Sequence, residues 1–185
     1  MDSARAYDLL ERLANLIRVE ERAAAVGAGL QPVHLEILRY LARCNRYSDT
    51  PAAVTEWLGA TKGTVSQSVG HLVRRRLVSA RRDVDDRRVV RLAPTERGNA
   101  LLAQALRPAA LLRTLSGVGD DVEASLEAVL TALQRARGGR TFGLCGTCRH
   151  LLHEDGGRLR CGLTREALRA ADARLVCREH EPAGT

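Results

Sequence analysis

Aromatic side chains are nearly missing from this chain, which has three Tyr, one Trp and one Phe among its 185 residues. A core must then be filled by Leu, Val and Ala. Leu and Ala favour helix, while the β-branched residues gather in one short stretch. Also absent is any run of about 18 apolar residues, which excludes a membrane-spanning helix on hydropathy. Met1 to Arg18 mixes charges among its leucines without an uninterrupted apolar segment, so it does not read as a secretory signal and a cytoplasmic location is expected. No phosphate-binding loop, dinucleotide fingerprint or nucleophile–base pair is found, so an enzyme is not expected. Cysteine is not scarce. Five thiols in a cytoplasmic chain read as free thiols or metal ligands rather than a disulfide framework.

Positive charge is abundant. The formal net charge is +7, which suits a polyanionic partner. Its distribution says more than its size. Ala60 to Arg91 contains nine cations (Lys62, Arg74, Arg75, Arg76, Arg81, Arg82, Arg87, Arg88 and Arg91) against Asp83, Asp85 and Asp86, so +6 of the +7 lies in one stretch. A merely solvated surface would scatter its charge along the chain.

The apolar spacing predicts a helix over Tyr7–Val26, with Leu9, Leu10, Leu13, Leu16 and Ile17 on one stripe and Gly27 and Gly29 as its stop. Pro32 opens a second helix carrying Leu35, Ile37, Leu38 and Leu41. A short third helix follows Pro51 and breaks at Gly59, with Trp57 read as core. Thr61 caps a fourth, whose inward side is Val65, Val69, Leu72 and Val73 and whose outward side shows Gly63, Gln67, Gly70, His71 and Arg74. The period then becomes alternating. Leu77–Arg82 and Arg88–Ala93 read as a hairpin about Asp83–Arg87. Pro94 and Thr95 start another helix, with Leu101, Leu102, Ala105 and Leu106 inward and a bend at Pro108. A final amphipathic helix carries Val122, Leu126, Val129, Leu130 and Leu133. Cys44 reads as a small buried hydrophobe at a helix end.

The predicted class is therefore mainly α with a small β-hairpin wing, in the order of a winged helix-turn-helix. Such a recognition helix fits the major groove, where small outward residues let the backbone approach and Gln and Arg reach base edges. Thr61, Lys62, Gly63, Thr64, Ser66, Gln67, His71, Arg74, Arg87 and Arg88 are the candidate DNA-contacting residues. The run Trp57–Gln67 resembles the turn and recognition helix of MarR regulators. Arg76-Leu77-Val78, Asp83–Arg88 and Leu92–Gly98 are similar to their wing and its exit. The resemblance covers roughly Tyr7 to Arg137 and is densest from Pro32 to Gly98. It implies a homodimer built from the first and last helices and a double-stranded operator as partner; a repressor is the expected role, although no residue reveals the direction of regulation. It also implies that Arg87 enters a minor groove, and that Asp85 or Asp86 braces the wing by pairing with an arginine. No small-molecule effector is identified by the residues.

Residues 1–136 are thus read as a MarR-like unit and 137–185 as a cysteine-rich tail after the Arg137–Arg140 linker. Cys145, Cys148, Cys161 and Cys177 have the spacing C-x2-C-x12-C-x15-C, with His150, His153 and His180 nearby. Four thiolates in so short a segment satisfy either an iron–sulfur cluster or a tetrahedral zinc ion, and either would contribute to the tail's folding. Zinc ribbons usually present two tight C-x2-C pairs, and only the first pair here is tight unless Cys177 and His180 act together. The tail also resembles the cluster segment of high-potential iron–sulfur proteins through its single C-x2-C, then Cys161, Leu163 and Leu168, then a last cysteine. It departs from them in its shorter middle spacing and lack of aromatics. An iron–sulfur cluster, giving a DNA regulator a redox state to sense, is the expected cofactor, with a structural zinc ion as the alternative. An iron–sulfur oxidoreductase is the remaining, disfavoured reading.

Overall fold

The computed structural model describes residues 2–105, 109–119 and 121–183. Helix α1 (Ser3–Gly27) is capped by Asp2, whose carboxylate accepts from the Ala4 and Arg5 amides. Only Ala25 of α1 is buried, and Leu9, Leu10, Leu13, Leu16 and Ile17 all face outward without cover. Helix α2 (Pro32–Leu41) is the centre of the molecule. Its Leu35, Ile37, Leu38 and Tyr40 are wholly buried. Thr50 caps α3 (Pro51–Leu58), which ends at Gly59 in the left-handed conformation, φ 60°. Thr61 caps α4 (Lys62–Arg74) by accepting from the Thr64 amide.

Strands β1 (Val78–Arg82) and β2 (Val90–Pro94) form the antiparallel wing, with Val78 opposite Pro94 and Arg82 opposite Val90. Helix α5 (Glu96–Gln104) follows, then α6 (Ala109–Ser116) and α7 (Asp121–Ala136). The tail folds into short strands: β3 (Gly143–Leu144) pairs with β7 (Val176–Cys177), while β4 (Leu151–Glu154), β5 (Arg158–Cys161) and β6 (Ala167–Leu168) form a second small sheet.

The structure corrects the sequence expectation at three places. Pro94 is the last ladder residue of β2 rather than a helix start, and Thr95 caps α5. Arg88 lies in the turn before β2, and Leu77 is a buried residue before β1. Val73 is 37% exposed, and Ser68 takes its place on the buried face. At 3.6 residues per turn Val73 sits about 80° around α4 from Val65, at the rim of the stripe. The bend expected at Pro108 and the inward Leu106 fall outside the described residues.

The main core joins α2, α3, α4 and the wing through Ile37, Leu38, Tyr40, Val54, Val65, Leu72, Leu77 and Leu92. Phe142 and Val176 of the tail belong to this same cluster. Helix α7 ends at Ala136, and the tail that follows shares the core of the winged unit. Helix α7 has no buried residue, and Leu126, Val129, Leu130 and Leu133 are exposed. Among the described residues, no helix is long and apolar enough to cross a membrane.

Candidate nucleic-acid interface and cysteine site

Helix α4 presents Lys62, Gly63, Thr64, Ser66 and Gln67 to solvent while Val65, Ser68, Val69 and Leu72 hold it to the core. Arg74 is exposed at its C-terminal end. His71 does not project with Gln67. It is half-buried and stacks on His34 of α2 at 4.4 Å and 8°, so its ring is engaged in helix packing. Burial, then the neighbouring His71 and Arg75, hold the His34 imidazole below its usual value, which favours the neutral ring in this stack.

The wing tip is shaped by Asp83. Its Oδ1 accepts from the amides of Asp85 (2.9 Å) and Asp86 (3.0 Å), and its Oδ2 accepts from Arg91 Nε at 2.7 Å. These donors, the Asp86 amide first, hold the Asp83 carboxyl at about 2. Arg91 also reaches Asp49 in the α2–α3 connection (2.9 Å) and the Arg46 carbonyl (2.7 Å), so the wing is tied to the helix-turn-helix. The sequence assigned the brace to Asp85 or Asp86. Asp86 does pair with Arg88, through two 3.0 Å contacts, but Asp83 is the residue that organises the turn. Its signal was present: an Asx turn needs a short acid followed by two amides that can turn back onto it. Arg87 is exposed at the tip, and its carbonyl accepts from Arg82 at 2.6 Å. Of the nine cations counted, Arg91 is therefore paired with Asp49 and Asp83, Arg88 with Asp86, and Arg75 is half-buried and donates to the Gly29 carbonyl, so the exposed cationic surface rests on Lys62, Arg74, Arg76, Arg81, Arg82 and Arg87.

The tail brings its four cysteines to one cavity. Cys145, Cys148, Cys161 and Cys177 line it together with Asn45, Tyr47, His150, Leu151, Leu163, Leu168 and Glu179. Cys145 opens a single 3-10 turn that Cys148 closes, its amide donating to the Cys145 carbonyl. Cys161 ends β5 and Cys177 ends β7. Among the described residues, no group of three or more His, Cys, Asp or Glu is placed to hold a metal ion. Asn45 Nδ2 donates to Cys145 Sγ at 3.3 Å. A hydrogen bond from Cys145, with further donation from Asn45 and the Glu179 amide, pushes the Cys177 thiol below its ordinary value, while Cys145 is raised by the same Cys177 contact and by burial. Cys44 does not line the cavity. It packs against the main core, and burial pushes its thiol up to about 12, so it is inert as read from the sequence.

Of the three tail histidines, only His150 lines the cysteine cavity. His180 is buried with Nε2 3.0 Å from the Thr147 hydroxyl and Nδ1 3.3 Å from that of Thr141. His150 reaches Glu181 at 3.3 Å, and His153 sits exposed on β4.

The tail also grips the helix-turn-helix, and this the sequence did not reveal. Phe142 packs edge-on to Trp57 (5.4 Å) and Tyr40 (6.2 Å). Val176 exchanges 2.8 Å backbone bonds with Arg43 and Asn45. The Arg178 amide donates to Ser48 Oγ at 2.8 Å, and its guanidinium binds Glu56 of α3 through both carboxylate oxygens, at 2.7 and 2.5 Å.

Residues 28–89 match the model of the MarR family. Among solved structures, the chain is similar to CouR from Rhodococcus jostii RHA1 bound to p-coumaroyl-CoA: 25% identity over 68% of this chain and 88% of that one, TM-score 0.58. It is similar to Streptococcus pneumoniae FabT in complex with DNA at 23% identity, 74% and 98% coverage and TM-score 0.55. BldR from Sulfolobus solfataricus is similar at 21%, 73% and 99%, with TM-score 0.54. No curated protein matches the sequence. The chain therefore has the fold of the MarR-type winged helix-turn-helix regulators, and residues 28–89 are the part that matches the family itself.

Proposed function

We propose that the chain is a DNA-binding transcription regulator, acting as a homodimeric repressor, whose operator affinity follows the state of an iron–sulfur cluster held by Cys145, Cys148, Cys161 and Cys177. The observation that carries DNA binding is the cationic surface that α4 and the wing present together, on the two elements a winged helix-turn-helix applies to DNA. FabT, of similar fold, was solved in complex with DNA. Thr64, Ser66 and Gln67 are exposed on α4 and are the residues we assign to base edges, and Arg87, exposed at the wing tip, is assigned to the backbone along a minor groove. His71 is not carried forward as a base contact, because its ring stacks on His34.

The cluster reading rests on four cysteines walling one cavity, with the Asn45 side-chain amide directed at the Cys145 sulfur and Leu151, Leu163 and Leu168 among the other walls. An iron–sulfur cluster spreads its four thiolates over two or four irons, so its ligands stand around a cavity rather than converging on one ion. Both ring nitrogens of His180 face threonine hydroxyls, which favours the all-cysteine set over a Cys177–His180 pair.

Two experiments test the proposal. Arg87→Ala should weaken binding across sequences and reduce the salt slope by about one phosphate contact, whereas Gln67→Ala should relax preference at one base pair. An unchanged affinity and slope for Arg87→Ala refutes the wing assignment. In protein purified without oxygen, Cys44→Ser and His180→Ala should keep the visible absorption, and serine at any of the other four cysteines should remove most of it. A colourless protein with stoichiometric zinc refutes the cluster and leaves a structural metal site.

A further inference from the structure

Asn45 occupies an unusual position between the two functional parts. It lies in the connection from α2 to α3, far in sequence from the tail, yet it is 4% exposed and lines the cysteine cavity. Each of its polar groups is engaged. The side-chain amide donates to Cys145 Sγ at 3.3 Å, and the backbone amide donates to the Val176 carbonyl at 2.8 Å. The side-chain oxygen accepts from the Tyr47 amide at 3.1 Å and the Ser48 hydroxyl at 2.8 Å. Ser48 continues the chain of contacts. Its hydroxyl accepts from the Arg178 amide, one residue after Cys177, and its carbonyl accepts from the Tyr40 hydroxyl at 2.8 Å. Arg178 then clasps Glu56 on α3. Helix α3 packs directly on α4, the helix that presents Gln67.

We infer that Asn45 is the positioning residue that couples occupancy of the cysteine site to the helix-turn-helix, holding the α2–α3 connection in one arrangement when its amide meets the sulfurs of a filled site and releasing it when the site is empty. This rests on the cysteine site being filled as proposed above. The physical reason is one of partners. An amide N–H gains most from a sulfur that carries negative charge, as a ligated thiolate does, and a buried amide whose acceptor is protonated or displaced must find another. The same side-chain amide also meets Cys177, so displacement of the two sulfurs would leave its buried N–H groups without acceptors while its oxygen stays bound to Tyr47 and Ser48. The Arg178–Glu56 clasp is a second strut from the same strand end to α3, so displacement at Cys177 is passed on through two routes that share Ser48.

Asn45→Asp tests this, because it keeps the shape and the acceptor oxygen while replacing the N–H donor with an oxygen that sulfur repels. Glu56→Gln is the second variant. It sits on the exposed end of the clasp and leaves the core intact. Each protein is prepared loaded and chelator-stripped, and its affinity is measured for one duplex selected by the wild-type protein from a random pool. Loading is followed independently by visible absorption and iron content, and the midpoint potential of the loaded forms is recorded. The wild-type loaded and stripped forms should differ by about 5- to 150-fold in affinity. Asn45→Asp should retain absorption, bring that ratio to within about twofold of unity and lower the midpoint potential, since a lost N–H···S bond disfavours the more reduced site. Glu56→Gln should narrow the ratio without moving the potential. A loaded Asn45→Asp that keeps both the wild-type ratio and the wild-type potential overturns the inference while leaving the cluster reading intact. A wild-type protein that takes up no iron, or whose two forms bind equally, overturns the cluster-dependent reading itself and this inference with it.

Discussion

Phe142 offers the most direct test of whether the tail and the winged unit form one cooperative structure. Its side chain is 8% exposed and meets Trp57 and Tyr40 edge-on, at 5.4 and 6.2 Å between ring centres. Its backbone is left-handed, φ 46°, a conformation that costs a non-glycine residue and that packing must hold in place. Burying such a ring contributes about 1.5–3 kcal/mol, and each edge-on aromatic contact adds about 0.5–1.5 kcal/mol. Phe142→Ala should therefore cost about 3–5 kcal/mol, in the range found when a buried phenylalanine is truncated. That is a large part of the total stability of an ordinary domain, about 5–15 kcal/mol. Urea unfolding measures the loss. Because Trp57 is the only tryptophan, its emission should also shift to the red as water reaches the vacated side of the indole. A loss below about 1 kcal/mol with unshifted emission would refute the claim that the tail is seated in the core.

Leu126 and Leu130 lie on the uncovered stripe of α7, so replacing both with Glu should dissociate the proposed dimer and weaken operator binding; sedimentation of the unmodified protein as a stable monomer at micromolar concentration would count against it. A Cβ at Gly98 would lie 2.2 Å from the Leu77 carbonyl oxygen, a backbone atom with little room to move, so Gly98→Ala should destabilise by about 3 kcal/mol or more, read by thermal unfolding. His34 is held below its usual value, so the unfolded chain binds the extra proton first and stability is lost as pH falls from about 6.5 through the folded value. His34→Gln should flatten that part of the stability–pH curve, and an unchanged curve would show that the stacked pair carries none of it.

Local chemistry made most of the winged unit legible before any coordinates. Pro32, Pro51 and Thr61 mark helix starts whatever lies around them, and Gly59 supplies the left-handed residue that ends α3. The period of the leucines gave the buried faces of α2 and α4, with Val73 misplaced because a residue at the rim of a stripe is assigned by its neighbours across space. The cationic stretch from Ala60 to Arg91 was also visible as composition, although composition could not tell that Arg91 spends its charge on Asp49 and Asp83. Cysteine spacing identified the four residues that share a cavity, because two of them are held by a single turn and the others end short strands.

Tertiary structure alone decided what those parts do to one another. Asn45, Ser48, Glu56 and Arg178 are ordinary polar residues in sequence. Their role comes from contacts made over a hundred positions or more, which no local period or propensity encodes. The seating of Phe142 between Trp57 and Tyr40 is of the same kind, since an isolated aromatic after a glycine linker has no preferred partner until the core is closed. Sequence fixes backbone conformation through neighbours a few residues apart, whereas long-range pairing follows from which surfaces remain uncovered once the helices have formed. The tail is thus recognisable from its cysteines, but its union with the helix-turn-helix exists only in the folded chain.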